Sequence, residues 1–524
     1  MPATPDGTAP TPAPTAPLPA PPTAPPTARP TRPAARALAG LLRLLPALRP
    51  APGASPVGDV RVTGCTLDSR SVQPGDLYAA LPGARVHGAD FAAQAVARGA
   101  VAVLTDAAGA DRAGAHLSGV PVLVADDPRA VLGAVARWVH DDPADGMLVL
   151  GVTGTNGKTT TAFLLEAGLR AAGHRTGLLG TVLTRIGDEV LPSVRTTPEA
   201  PDLQALLALM RERGTSAVAL EVSSHALSLG RVDGVRFDVA GFTNLSQDHL
   251  DFHPTMEAYE AAKASLFTPE RSARAVLNVD DPAGRRMRRA TAVPAVTYGL
   301  DADWHAREVD LRADGSRFRL IGPGVDRPAS VRLPGAFNVD NAVAALAMLV
   351  TAGVPVDDAV RGVGELVGVP GRMERIDAGQ HFIAVVDYAH TPDAVTRLVE
   401  AVRAVTAGRV LLVLGCGGDR DRGKRPLMGR AASAADLAVL TSDNPRSEDP
   451  VAILAEMAVG APGALLEPDR RTAIGHAVAV ARPGDAVVVA GKGHETGQEI
   501  GGQVLRFDDR EVLRQALTDR QARS

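Results

Sequence analysis

The stretch 147–160, reading Met-Leu-Val-Leu-Gly-Val-Thr-Gly-Thr-Asn-Gly-Lys-Thr-Thr, constrains this chain more than any other. Its first seven residues form a compact apolar run suited to a strand covered on both faces, and helical spacing resumes over 161–170. Strand, glycine loop and helix in that order wrap backbone N–H groups and a positive helix end around a polyphosphate. Lys158 can then reach the outer phosphates, and the Thr159 hydroxyl can ligate magnesium. Val152 stands where the usual six-step spacing has its first glycine, so this loop is a variant of that pattern.

A phosphate-binding α/β unit needs a large chain around it, and 524 residues at roughly 150 per domain allow about three domains. Prolines are concentrated in the first 33 residues, interleaved with Ala and Thr, which predicts a disordered tail over 1–35. Leu38, Leu41, Leu42, Leu45 and Leu48 follow at helical spacing and are read as a first helix rather than a targeting segment. Apolar runs at 76–81 and 101–104 with a helix over 90–98 define a small α/β domain, 36–146. Runs at 147–153, 217–222, 237–242 and 275–279 define a second, 147–369. Runs at 382–386, 410–414, 437–440 and 486–490, with a helix over 393–405, define a third, 370–524. Strands alternating with helices predict an α/β fold with mostly parallel sheets, the last domain being doubly wound and Rossmann-like.

Composition narrows the function. A formal charge of -4 argues against a nucleic-acid coat, and two cysteines cannot staple three domains. No apolar run reaches the ~18 residues of a membrane span. A cytoplasmic chain, acting as a monomer, is expected.

Further candidates lie at strand ends. Glu221 follows the run at 217–220 and suits a hard cation such as magnesium. His249 and His253, four apart, raise a zinc site, but Leu250 stands where a zinc hydrolase needs glutamate, so His249 is read as a neighbour of the nucleotide metal. In the third domain the strands end at Asp387, at 415–420, at 443–446 and at 491–495. The ligand crevice of an open α/β sheet lies beyond such ends. Arg420, Arg446, Lys492 and Glu495 together exceed what turns require.

These separated motifs resemble the Mur ligases from about Pro50 to the C-terminus: Gly154-Thr-Asn-Gly-Lys-Thr-Thr160, Glu221-Val-Ser-Ser-His225, Asp248-His249, Phe337-Asn-Val-Asp-Asn341, Gly371-Arg-Met-Glu374, Asp387-Tyr-Ala-His390, Gly417-Gly-Asp-Arg420, Asp443-Asn-Pro-Arg446 and Gly491-Lys-Gly-His-Glu495. The resemblance implies an ATP-dependent amide ligase of three domains, gripping a UDP-sugar, ATP and an amino acid respectively. It implies that the D-glutamyl carboxylate of UDP-N-acetylmuramoyl-L-alanyl-D-glutamate becomes an acyl phosphate that the amine of diaminopimelate attacks, in peptidoglycan precursor synthesis.

Site roles follow from the same resemblance. Gly154, Thr155, Asn156, Gly157, Lys158, Thr159, Thr160, Asn338, Asn341, Arg372 and Asp387 would contact ATP. Thr159, Glu221, His249 and a carbamylated Lys263 would serve magnesium, and Lys158, Glu221, His249 and Lys263 would form the catalytic set. Leu67, Ser69, His87, Gly88, Ala89, Thr196, Thr197, Ser223 and Arg231 would hold the UDP-substrate, although Leu229 and Arg195 stand where the pattern has glutamine and asparagine. Arg420, Asp443, Asn444, Pro445, Arg446, Gly491 and Glu495 would hold diaminopimelate, Arg446 pairing its distal carboxylate and Glu495 its distal ammonium. A folylpolyglutamate-synthetase-like ligase should not need the N-terminal domain or the Asp443–Arg446 motif. A nucleotide switch would have no use for amino-acid contacts.

Overall fold

The computed structural model describes residues 28–522 apart from 84, 114–116 and 118. The tail expected over 1–35 therefore lies outside the described residues as far as 27. From 28 onward the expectation needs correction, because the segment is bound to the fold. Arg29 pairs with Asp76 at 2.7 Å, and the Thr31 N–H donates to Glu212 at 2.8 Å. Asp76 is nearly buried, and a buried carboxylate holds a cation strongly; proline content carries no trace of that pair.

In the N-terminal region the helix Leu38–Leu44 buries Leu38 and Leu41 against a five-stranded sheet and stops before Pro46. The sheet runs in the order Arg49–Pro50, Val122–Val124, Ala102–Thr105, Asp76–Ala79, Gly64–Thr66, the last four mutually parallel. The helix expected over 90–98 divides into a 3-10 turn, Gly88–Phe91, and an α-helix, Ala92–Ala97.

The central sheet has eight strands, and Leu148–Thr153 lies inside it, parallel to Ala217–Glu221 on one side and Val239–Phe242 on the other. Alternation along this strand sends Leu150 and Val152 into one core, with the helices Lys158–Ala171 and Ala336–Thr351. Val149 enters the opposite core with the helix Ala200–Glu212. An antiparallel meander over His305–Arg312, Gly315–Gly322 and Val325–Val331 was not anticipated. Its strands are rich in charge, and only a few residues, such as Phe318 and Leu320, reach the core.

The C-terminal sheet is ordered Glu374–Arg375, Ile383–Asp387, Ala486–Ala490, Val410–Cys416, Leu437–Ser442, Leu465–Leu466, all parallel except the first. Insertion of Ala486–Ala490 between two earlier strands opens a crevice at the carboxyl ends, which is where the predicted ligand segments emerge. Among the described residues no helix is long and apolar enough to cross a membrane.

Candidate active site

The glycines of the phosphate loop are required by geometry. Gly157 has φ +87°, and a Cβ there would sit 2.4 Å from Asn341 Oδ1; at Gly154 a Cβ would meet Thr243 Oγ1. Lys158 Nζ donates to the carbonyls of Gly154 at 2.9 Å and Thr155 at 2.8 Å, so the lysine lies along its own loop. Asn156 N–H donates to Asn244 Oδ1 at 2.9 Å, and Thr155 Oγ1 is 3.1 Å from the Tyr259 hydroxyl.

At the start of the helix, Thr159 Oγ1 donates to Glu221 Oε2 at 2.9 Å. Thr181 holds the same carboxylate through its N–H at 2.8 Å and its hydroxyl at 3.0 Å. Arg372 crosses from the C-terminal region and donates to Thr159 Oγ1 at 2.9 Å, with its guanidinium 4.3 Å from the Tyr388 ring centroid. Asp387 accepts from the N–H groups of Met373 at 2.7 Å and Ala389 at 2.8 Å, and burial raises its pKa against the pull of Arg372. Asn338 and Asn341 bond each other at 3.2 Å. All of these residues line one cavity, together with Thr160 and Lys263.

Lys263 is nearly buried. Its Nζ donates to the Gly154 carbonyl at 2.7 Å and lies 4.4 Å from the Tyr259 ring centroid. Burial, then the charge of Lys158, hold its pKa well below the ordinary lysine value. His249 has φ +55° and packs edge-on against His225, ring centroids 4.7 Å apart. Burial lowers its pKa to about 3 despite the neighbouring Asp248, leaving a neutral ring. Burial would raise Asp248, but His390, His249 and Lys424 hold it well below the usual carboxylate range. His253 turns away to Ser224, at 2.9 Å, rather than joining His249 around an ion.

Predicted UDP-substrate residues fall into two groups. Leu67, Ser69 and Gly88 line a second cavity, completed by Arg195 and Glu199 from the central region. His87 supports that wall: its Nδ1 accepts the Ala89 N–H at 3.0 Å and its Nε2 lies 3.1 Å from Asp106. Thr196 and Ser223 instead line the phosphate-loop cavity, and Thr197 donates to the Glu221 carbonyl at 2.8 Å. Arg231 pairs with Glu199 at 2.9 Å. The threonines thus connect the second cavity to the carboxylate that faces the phosphate loop.

The predicted amino-acid residues also gather. Asn444 Nδ2 donates to Glu495 Oε2 at 2.9 Å, and Arg446 donates to the Gly418 carbonyl at 2.6 Å and pairs with Glu499 at 3.2 Å. Gly491 has φ +112°, and a Cβ on it would meet Asp443 Oδ2 at 2.7 Å. A Cβ on Gly418 would strike the Pro445 carbonyl, so the 417–420 and 443–446 loops are in close contact; Arg420 is exposed beside them.

Several participants had no role assigned from sequence. Lys492 is fully buried and donates to Asn444 Oδ1 at 2.9 Å and Glu495 Oε2 at 2.8 Å. Its position between two glycines at a strand end was the available signal. Thr181, Tyr259 and Lys424 carried no local pattern at all, and His390 closes the Asp387–His390 motif without a role of its own.

A phosphate loop faced by an arginine from a separate Rossmann-like domain defines a nucleotide-dependent enzyme with a cleft between domains. This chain belongs to the Mur ligase family. The family's descriptions "Mur ligase family, catalytic domain", "Mur ligase middle domain" and "Mur ligase, glutamate ligase domain" match residues 61–139, 152–349 and 371–493 in turn. A UDP-N-acetylmuramoyl-L-alanyl-D-glutamate--2,6-diaminopimelate ligase of Streptomyces coelicolor is 57% identical over 478 residues, covering 88% of this chain and 94% of the relative. The protein of that description from Streptomyces avermitilis is 56% identical over 482 residues, with 89% and 95% covered. A solved structure bearing the same description superposes with a TM-score of 0.62 at 36% identity, over 88% of this chain and 96% of that one.

Proposed function

We propose that this chain is an ATP-dependent acid–amino-acid ligase, which joins diaminopimelate to the D-glutamyl carboxylate of UDP-N-acetylmuramoyl-L-alanyl-D-glutamate in the cytoplasm. The observation that carries the reading is the bond from Arg372 to Thr159 Oγ1, which puts the C-terminal region directly against the phosphate loop.

A carboxylate is a poor electrophile, and ATP makes it a good one. A glutamyl carboxylate oxygen attacks the γ-phosphorus, ADP leaves, and the resulting acyl phosphate has phosphate as its leaving group. The free diaminopimelate amine then attacks the acyl carbon, phosphate departs, an amide forms, and the amine releases a proton. The loop N–H groups and Lys158 hold the phosphates in line, while Arg372 offsets negative charge on the transferring group. In the amino-acid pocket, Arg446 takes the distal carboxylate and Glu495 the distal ammonium, with Asp443 and Asn444 fixing orientation.

Magnesium fits the residues present. Among the described residues no group of three or more His, Cys, Asp or Glu side chains is set to hold an ion. Thr159 and Glu221 supply one hydroxyl and one carboxylate, a sparse oxygen set of the kind magnesium uses when phosphates and water complete its shell. Neutral His249 supports the site. Magnesium, when bound, neutralises the phosphate charge. Lys263, whose Nζ sits 2.7 Å from the Gly154 carbonyl on the phosphate-loop cavity, can in its neutral form add carbon dioxide, losing a proton to become a carbamate and so presenting a second anion there.

Phosphate release with each substrate omitted in turn tests the reading. Release that requires both the UDP-muramoyl dipeptide and diaminopimelate is expected, with product mass identifying the amino acid joined. Release independent of either substrate would overturn the proposal.

A further inference from the structure

The cavity assigned to the UDP-substrate has a wall that comes from outside both flanking domains, and the role of that wall rests on the proposed function. Arg29 lines it beside Leu67 and Ser69 of the N-terminal region and Arg195 and Glu199 of the central region. Arg29 Nη1 donates to both Asp76 oxygens, at 2.7 and 2.8 Å, and Nη2 reaches the Ser71 carbonyl at 3.4 Å. The Asp76 side chain retains 2% of its exposure. It cannot withdraw, because it also accepts the Gln73 N–H at 2.8 Å and lies directly against Gly64, where a Cβ would be 2.2 Å from Oδ1.

The same segment grips the other wall. Ala28 packs on the central core, and Thr31 bonds Glu212 through both its N–H and its hydroxyl. Glu212 ends the helix Ala200–Glu212, whose opposite end presents Glu199 and Asp202 to the cavity. The acidic residues of the lining are matched by arginines: Asp68 pairs with Arg70 at 2.8 Å and Glu199 with Arg231 at 2.9 Å. A buried Asp76 stripped of Arg29 would upset that balance and repel a phosphorylated ligand.

We propose that residues 28–35 form an arm of the nucleotide-sugar site, in which Arg29 is a positioning residue that neutralises Asp76 and fixes the cavity wall for a nucleoside-diphosphate ligand. Arg29 acts through Asp76 and the wall, so its loss changes ligand capture and leaves the chemical step intact.

The test measures KM for each substrate by phosphate release in the full chain, for wild type, Arg29→Met, Asp76→Asn and the double variant. Arg29→Met is expected to raise the nucleotide-sugar KM about tenfold or more, with kcat and the other two KM values within about twofold. Adding Asp76→Asn should return the nucleotide-sugar KM to within about threefold of wild type, since the buried charge is then gone. Asp76→Asn alone leaves Arg29 as a free cation and should lower that KM; this variant carries the test if Arg29→Met does not fold. An unchanged KM in Arg29→Met, a double variant as impaired as Arg29→Met, or an unchanged or raised KM in Asp76→Asn each overturns the proposal. Wild-type turnover that ignores the nucleotide sugar would instead overturn the functional reading, so the two failures are separable.

Discussion

The phosphate loop and the amino-acid cluster are built in different ways. In the loop, consecutive residues do the work and backbone conformation is the constraint: Gly157 at φ +87° and Gly154 at φ +150° leave no room for a side chain. In the cluster, three separated loops meet, and side-chain charges hold them. Lys492, Asn444 and Glu495 form one triangle, and Arg446 joins Glu499 and the Gly418 carbonyl. A contiguous site should therefore fail through geometry, and an assembled one through loss of a charge.

Lys263 gives the largest expected effect and tests whether the loop depends on anything beyond itself. Lys263→Ala should lower kcat by about 1,000-fold, the scale seen when a preorganised electrostatic group is removed from an active site. Added short carboxylates should restore part of that rate, because they can occupy the place of the proposed carbamate. Unchanged activity would show that the loop suffices without it.

Gly157→Ala probes the geometric side. The new Cβ would lie 2.4 Å from Asn341 Oδ1 on a backbone that L-residues disfavour by about 1–2 kcal/mol. The KM for ATP should rise more than about tenfold while diaminopimelate KM changes little. Arg446→Ala probes the charged side. Truncating it leaves Glu499 unpaired and, on the proposed assignment, the distal carboxylate of diaminopimelate as well, so diaminopimelate use should weaken by about 2 kcal/mol or more, with ATP binding preserved. Equal losses for both ligands would erase the distinction between the two regions.

The same contrast explains what could be read in advance. The strand Leu148–Thr153 and the four central strands of the C-terminal domain were visible because buried strands give dense apolar runs, and glycines with positive φ mark the loops between them. The α/β class follows from their alternation with helices. The charged meander over 305–331 gives no such signal, since three antiparallel strands need only a few buried residues. Roles for separated residues such as Arg372 and Asn338 came through family resemblance, and the structure places both on the phosphate-loop cavity. Lys492 and Arg29 were left without roles because each acts through a partner far away in sequence, Asn444 in one case and Asp76 in the other.

His140, where the N-terminal region meets the central one, offers the smallest and sharpest test. It is assembled like the amino-acid cluster, yet around a group kept uncharged. Its Nε2 is buried and has no hydrogen-bond partner among the described residues, while Arg211 donates to its carbonyl at 2.9 Å. Burial, followed by the charges of Arg29 and Arg211, lowers its pKa to about 4. An unfolded histidine titrates near about 6.5, so between these values the unfolded chain takes up a proton that the folded chain refuses. The contribution to stability is therefore fully present above that range and is lost as pH falls through it, by about 3 kcal/mol in all. Denaturant unfolding of wild type and His140→Phe at pH 7 and pH 5 should show the variant losing less stability across the interval. Parallel losses would mean that the imidazole is not held neutral, and that charges, as in the amino-acid cluster, also govern this junction.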